Sequence, residues 1–281
     1  MPDPDRLLRT IYRAVEAIRN TQGRKGRFVQ LAAAEDIVVA GDLHGHLGNF
    51  QIIHQKANLA ANPRRHLILQ EVVHGQFRYP KGGDKSHQIL DLFCAMKCQF
   101  PQQVHLLLGN HEMAQWNGRP VMKGQDNYNR LFREGVAEAY GEKSDEIYNA
   151  YLRLFGALPI AVRTPNRIFL SHSLPVAAMI PKFEQQLLET DVIAEEDFGA
   201  KGAVFSLLWG RDPRLSTVED FLRKVNSDWL ITGHLHPEAG FAVNGDRHII
   251  VDSSTSPGSF SMLSASHPLT VPEFHGSIHI V

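Results

Sequence analysis

The 281-residue chain is short of cysteine, of net charge and of long apolar runs, and each shortage removes a class of protein. Its two cysteines, Cys94 and Cys98, stand four apart in a helical pattern. They read as small packed hydrophobes, and a disulfide scaffold is excluded. The 29 Lys and Arg nearly cancel the 30 Asp and Glu. No global field draws the chain to nucleic acid or to an anionic membrane, so neither is expected as a partner. No run of 18 or more apolar residues is present to span a bilayer, and the opening Met1-Pro2-Asp3-Pro4-Asp5-Arg6 lacks the apolar centre of a signal peptide. The expected location is cytoplasmic. Low-complexity linkers and internal repeats are missing too, so 1–281 is expected to form one domain with its core at about 36–260. What the chain does have is 43% hydrophobic residues, enough for a large core, and 15 histidines. Several of these follow apolar runs, which points to metal chemistry.

Periodicity organises the first half. Leu8, Ile11, Tyr12, Val15 and Ile18 predict an amphipathic helix over 5–20, followed by an exit loop over 21–25. Apolar runs at 36–41, 66–70 and 103–108 predict buried strands, with helices after the first and over 86–98, the latter capped by Ser86. Buried strands alternating with helices imply an α/β fold with its sheet covered. Two further helices are expected at 127–140 and 145–155, as a helical hairpin. The second half is richer in β structure. Residues 160–163 and 167–170 flank Thr164-Pro165-Asn166 as one hairpin, and 241–243 and 248–251 flank Asn244-Gly245 as another. A helix near 218–225 and a strand at 229–232 lie between them.

Five of these segments end in ligand-type residues: Gly41-Asp42-Leu43-His44-Gly45, Gln70-Glu71, Gly109-Asn110-His111-Glu112, Leu170-Ser171-His172-Ser173 and Thr232-Gly233-His234-Leu235-His236. Groups beyond the carboxyl ends of strands in an α/β sheet converge on one crevice. Carboxylate, imidazole and amide oxygen together suit a divalent cation such as Mn, Fe or Zn better than thiolate chemistry does.

Taken in order, these motifs resemble the calcineurin-like metallophosphoesterases, and within them the serine/threonine phosphoprotein phosphatase branch, whose pattern is GDxHG, GDxxDRG, GNHE, an HGG-type motif and a GH motif. GDLHG and GNHE match in full, while FLSHS and TGHLH match in their histidines. Residues 207–213, LLWGRDP, are similar to the LLWSDP segment of that branch. The resemblance spans roughly 37–259. It implies an αββα sandwich and two divalent cations, manganese first, with iron or zinc as alternatives. Asp42 and His44 would hold one cation; Asn110, His172 and His234 would hold the other. Glu71 would bridge them, and His111 would protonate the leaving oxygen.

Where the family has GDxxDRG, this chain reads Gln70-Glu71-Val72-Val73-His74-Gly75. The bridging carboxylate is therefore a glutamate, or else it is Asp84, which alternatively orients His111. Arg78, Lys85 and Arg211 are the candidates for substrate phosphate, and His236 is a candidate further ligand. Ser173 replaces a glycine of the HGG motif and is expected to narrow the backbone approach beside the metal. The expected reaction is hydrolysis of phosphate monoesters, from phosphoproteins or from small phosphoesters. Dinucleoside polyphosphate hydrolysis and a metal-binding module without turnover are the alternatives.

Overall fold

A computed structural model describes residues 3–281. Two sheets lie face to face, with helices outside both. In spatial order the five-stranded sheet is Ile278–Ile280, Ser259–Ser264, Asp36–Asp42, Arg65–Gln70 and Val104–Leu107. The seven-stranded sheet runs Arg24–Lys25, Phe28–Gln30, Ala161–Arg163, Ile168–Ser171, Trp229–Thr232, His248–Val251 and Phe241–Asn244.

Side-chain alternation explains the layers. Ile37, Val39, Ile68, Leu107, Val162, Ile168, Leu170, Ile231 and Ile249 form one apolar cluster. Their strand neighbours Val38, Ala40, Leu67, Leu69, Leu106, Phe169 and Leu230 belong to a second, which also includes the helices. Successive residues of a strand face opposite sides, so the first cluster is the seam between the sheets and the second is the sheet-to-helix packing. This is the expected αββα sandwich. Helices Leu47–Ala57 and His87–Gln99 cover the five-stranded sheet, and Leu215–Lys224 packs on the other. Pro4–Arg19 lies against the outer helices with Leu7, Leu8, Ile11, Ala14, Val15 and Ile18 buried, and the Asp3 carboxylate caps it by accepting from the Arg6 N–H at 2.7 Å.

The strands that carry the polar termini run parallel. Asp36–Asp42, Arg65–Gln70 and Val104–Leu107 pair in parallel, as do Ile168–Ser171, Trp229–Thr232 and His248–Val251. All six therefore end on one rim. There the sheets meet in a parallel bridge between Asp42 and Asp252. Gly41 makes the approach possible, because a Cβ on it would stand 1.9 Å from the Val251 carbonyl oxygen.

Both expected hairpins are antiparallel pairs, 161–163 with 169–171 and 241–244 with 248–251. Two local readings need correction. Arg24–Lys25, placed in an exit loop, is an edge strand paired with Phe28–Gln30. Ser86 occupies the cap position of the His87–Gln99 helix, but its hydroxyl donates to Asp84 Oδ2 at 2.9 Å rather than accepting from the helix, since a buried carboxylate is the stronger acceptor.

Candidate metal centre

The rim is built by tight turns that break each strand and turn its last side chain inward. Among the described residues seven non-glycine positions have positive φ, and four of them, His44, Glu71, His74 and His234, sit on these turns, so the backbone strain is concentrated at the rim. The Glu71 turn is held from below. Buried Glu112 accepts from the Val72 and Val73 N–H groups at 2.8 and 3.1 Å with one oxygen and leaves the other without a partner. Burial, with Glu71 adding to it, pushes the Glu112 carboxyl up to about 7. Gly109 allows this close stacking, because a Cβ there would lie 2.3 Å from Glu71 Oε2 and 2.6 Å from Glu112 Oε2.

Four of the expected ligands close on a single point. His172 Nε2 stands 2.7 Å from Asn110 Oδ1, 2.9 Å from Glu71 Oε2 and 3.1 Å from His234 Nδ1. One imidazole nitrogen carries at most one proton and cannot donate to three acceptors. A cation satisfies all four groups at once: ligands about 2.1 Å from a tetrahedral zinc lie roughly 3.4 Å apart, so these atoms need move outward by only a few tenths of an ångström to hold one. The donor set therefore fits a divalent metal. Electrostatics agree: burial alone would lower His172, yet the Glu71 and Asp42 carboxylates lift it to about 9, so the centre calls for positive charge. Burial alone raises Glu71, but His172 and His111 hold it well below the usual carboxylate range.

The second grouping lies across Glu71. His44 Nε2 is 3.4 Å from Glu71 Oε1 and 4.0 Å from Asp42 Oδ2. His44 Nδ1 lies 2.8 Å from the Val73 carbonyl, which fixes the proton on Nδ1 and leaves Nε2 as a lone pair. His236 joins Asp42 and His44 within ligand-sharing distance. Its Nδ1 is oriented by Asp252 Oδ2 at 2.8 Å, so Nε2 is free to ligate. Asp42 accepts twice from the His234 N–H at 3.1 Å, and burial, with Glu71 adding to it, raises its carboxyl to about 6.

The remaining expected residues are placed as follows. His111 lines the cleft over the centre, a space of about 750 Å³, with Nδ1 3.6 Å from Glu71 Oε1. Burial pushes its imidazole down to about 3. Asp84 makes no hydrogen bond to His111. Its oxygens accept from the Gly75 N–H at 3.0 Å and from the Ser86 N–H and hydroxyl at 2.8 and 2.9 Å, which closes the 75–86 loop. Arg78 lies 3.8 Å from Asp84 with its guanidinium over the Tyr128 ring, and Lys85 sits over Tyr79. Arg211 is exposed at the rim and donates to the His234 carbonyl at 3.3 Å. None of these three lines the cleft, whereas Lys123 does. Ser173 turns its hydroxyl away from the centre to donate to the Gly210 carbonyl at 2.5 Å. Sequence reasoning gave no role to Glu112, Asp252 or His74. Asp252 carried a usable signal, since it too ends an apolar strand.

Residues 36–238 match the family described as Calcineurin-like phosphoesterase. A probable serine/threonine-protein phosphatase of Encephalitozoon cuniculi is 25% identical over 266 residues, which cover 85% of this chain and 52% of the relative. Serine/threonine-protein phosphatase BSL2 of Arabidopsis thaliana is 24% identical over 217 residues, 76% of this chain and 20% of the relative. The chain thus spans about half or less of the length of these two relatives. Among solved structures, a protein serine/threonine phosphatase from Saccharomyces cerevisiae with similarity to human phosphatase PP5 superposes with a TM-score of 0.74 at 18% identity, covering 100% of this chain and 89% of that one. A cold-active protein-tyrosine phosphatase of a psychrophile, Shewanella sp., gives 0.60 at 14% identity over 94% and 83%. These likenesses carry the fold. The family match covers well over half of the sequence and includes every turn that carries a candidate ligand from Asp42 to His236, and so the protein belongs to the calcineurin-like phosphoesterases, a family of hydrolases.

Proposed function

We propose that the chain hydrolyses phosphate monoesters, with phosphoserine and phosphothreonine side chains of proteins as its substrate class. The observation that carries this is the convergence of Asn110, Glu71 and His234 on His172 Nε2, with Asp42 and His44 on the other side of Glu71. In this reading Asn110, His172 and His234 hold one cation, Asp42, His44 and His236 hold another, and Glu71 serves both. Divalent cations bound there supply Lewis acidity toward water and toward the phosphoryl oxygens. Manganese is the first choice, because mixed carboxylate and imidazole ligation suits it.

The chain's own groups complete the chemistry. His111 lines the cleft without belonging to either ligand set, and once protonated, against the burial that lowers it in the empty cleft, its imidazolium is placed to hand a proton to the departing alkoxide. Lys123 and Arg211 bring positive charge to the rim for the phosphate, and Arg78 stiffens the wall through Tyr128. The phosphoprotein substrate class is supported by the two curated relatives, both serine/threonine-protein phosphatases by name. We also take 1–281 as one unit, a reading supported by the pairing of Ser259–Ser264 with Asp36–Asp42. A reducing, cytoplasmic setting is supported by the free thiols of Cys94 and Cys98.

A substrate panel tests the proposal. The protein is stripped with chelator, reloaded with manganese and given a phosphoserine peptide, diadenosine tetraphosphate and bis-p-nitrophenyl phosphate. Turnover of the phosphopeptide at the highest kcat/KM is expected. Preference for the dinucleotide, or metal uptake without turnover of any ester, would contradict it.

A further inference from the structure

His74 is an unusual residue to find in a cleft wall. It is 4% exposed, holds φ at 63° where a branchless glycine would sit without strain, and has no role among the metal ligands. Its hydrogen bonds define its tautomer. Gln115 Nε2 donates to the Tyr148 hydroxyl at 2.6 Å and to the Asn129 carbonyl at 3.4 Å, so Gln115 Oε1 is the acceptor that faces His74 Nε2 at 2.8 Å. The His74 proton is therefore on Nε2, and Nδ1 is a bare lone pair. That Nδ1 is buried with no partner.

The nearest imidazole has the complementary need. His111 Nδ1 is also buried and unpartnered, and the two rings lie 4.9 Å apart, centre to centre, tilted by 44°. Two other pairs in this protein calibrate that spacing. His172 and His234 have nitrogens 3.1 Å apart with ring centres at 4.8 Å, and His66 and His105 have nitrogens 3.0 Å apart with centres at 5.3 Å. A separation of 4.9 Å falls between them, so the rings are spaced for an N–H to be shared between the two Nδ1 atoms once the His111 ring turns, a bond the resting structure does not make. The other neighbour of His111 Nδ1, Glu71 Oε1 at 3.6 Å, is a carboxylate assigned to the cations.

We infer that His74 is the positioning residue for His111: His74 Nδ1 accepts a hydrogen bond from His111 Nδ1–H, so that in the doubly protonated ring the Nε2–H is presented to the leaving oxygen and the ring is left neutral, with its proton on Nδ1, after the transfer. Tyr148, Gln115, His74 and His111 then form one relay of fixed tautomers. It fills the place of the carboxylate that Asp84 was expected to supply, and it rests on the reading of His111 as the proton donor.

A double-mutant cycle tests it, measured with phenyl phosphate and with p-nitrophenyl phosphate at full metal loading confirmed by elemental analysis. His74→Ala is expected to lower kcat on phenyl phosphate about tenfold to a hundredfold with KM unchanged, to lose much less on p-nitrophenyl phosphate, and to add nothing in a His111→Ala background. His74→Asn, which restores an acceptor on a residue type that tolerates positive φ, recovers most of the loss. Should His74→Ala fail to fold, Gln115→Met takes its place. It leaves His74 in place and releases its tautomer, together with the Gln115 bonds to Tyr148 and Asn129, and is expected to show the same substrate selectivity at about threefold to tenfold. An undiminished loss in the His111→Ala background, equal losses on both esters, or no loss at all overturns the inference. If His111→Ala itself retains full turnover on phenyl phosphate, the proton-donor reading falls and the inference with it; a loss there without one at His74 removes the inference alone.

Discussion

A histidine beside a proposed metal ligand that itself points into the cleft is the natural candidate to carry a proton, and His111 stands in that position one residue after Asn110. Replacing it with alanine is expected to cut turnover by roughly 10² to 10⁴ on an ester with a poor leaving group, with metal content near normal. The loss on p-nitrophenyl phosphate should be smaller, because that leaving group needs less protonation. Equal losses on the two esters would mean that His111 serves the metals. At this scale the sequence was legible for the placement of Asp42, His44, Asn110, His172 and His234 at one rim, since each closely follows an apolar strand. It was silent on Glu112 and His74. Their partners lie about 40 residues away along the chain, the Val72 and Val73 amides for one and Gln115 for the other, and no local pattern encodes such contacts.

Between residues and the whole, the informative unit is the turn that joins a strand to the next helix. Val104–Leu107 passes through Gly109 into Asn110–Asn117, and the Glu71 and Glu112 carboxylates both press on that glycine. Gly109→Ala should displace Glu71, cost about 1–3 kcal/mol in stability through overpacking and remove metal together with activity. Chemical unfolding and elemental analysis of the purified variant check this, and a variant with unchanged metal content would show that Glu71 is free to move. The parallel strands were readable as apolar runs. Ser259–Ser264 was not, because Ser259 and Ser261 interrupt its hydrophobic pattern although both are fully buried. Their hydroxyls are satisfied inside the fold, Ser259 by the Gly240 carbonyl and Ser261 by Ser277, so polar letters here occupy core positions.

At the scale of the molecule, neutral histidines far from the rim, two buried and one half-buried, set an acid limit. Burial lowers His66 to about 4 and His248 to about 3, and it holds His105 well below its ordinary value. For such groups the unfolded chain takes up a proton near pH 6.5 while the folded one does not. Stability is therefore complete above the unfolded pKa and lost as pH falls below it, by about 1.4 kcal/mol per pH unit for each group until its folded pKa is reached. Urea unfolding of the metal-free protein between pH 6.5 and 4 should show this slope. His248→Gln should flatten it by about one histidine's share, and an unchanged slope would assign the acid limit to other groups.

The two sheets meet at Asp42 and Asp252, and the chemistry assigned to that junction depends on Glu71 serving two cations. Neutralising a shared carboxylate leaves about one unit of uncompensated positive charge in a partly desolvated site. The most direct measurement is the number of manganese ions bound per chain, by elemental analysis, in the wild type, Glu71→Gln and Asp84→Asn. Two ions are expected in the wild type, one or none in Glu71→Gln and two in Asp84→Asn. Two ions retained by Glu71→Gln with one lost from Asp84→Asn would place the bridge at residue 84 and contradict the assignment.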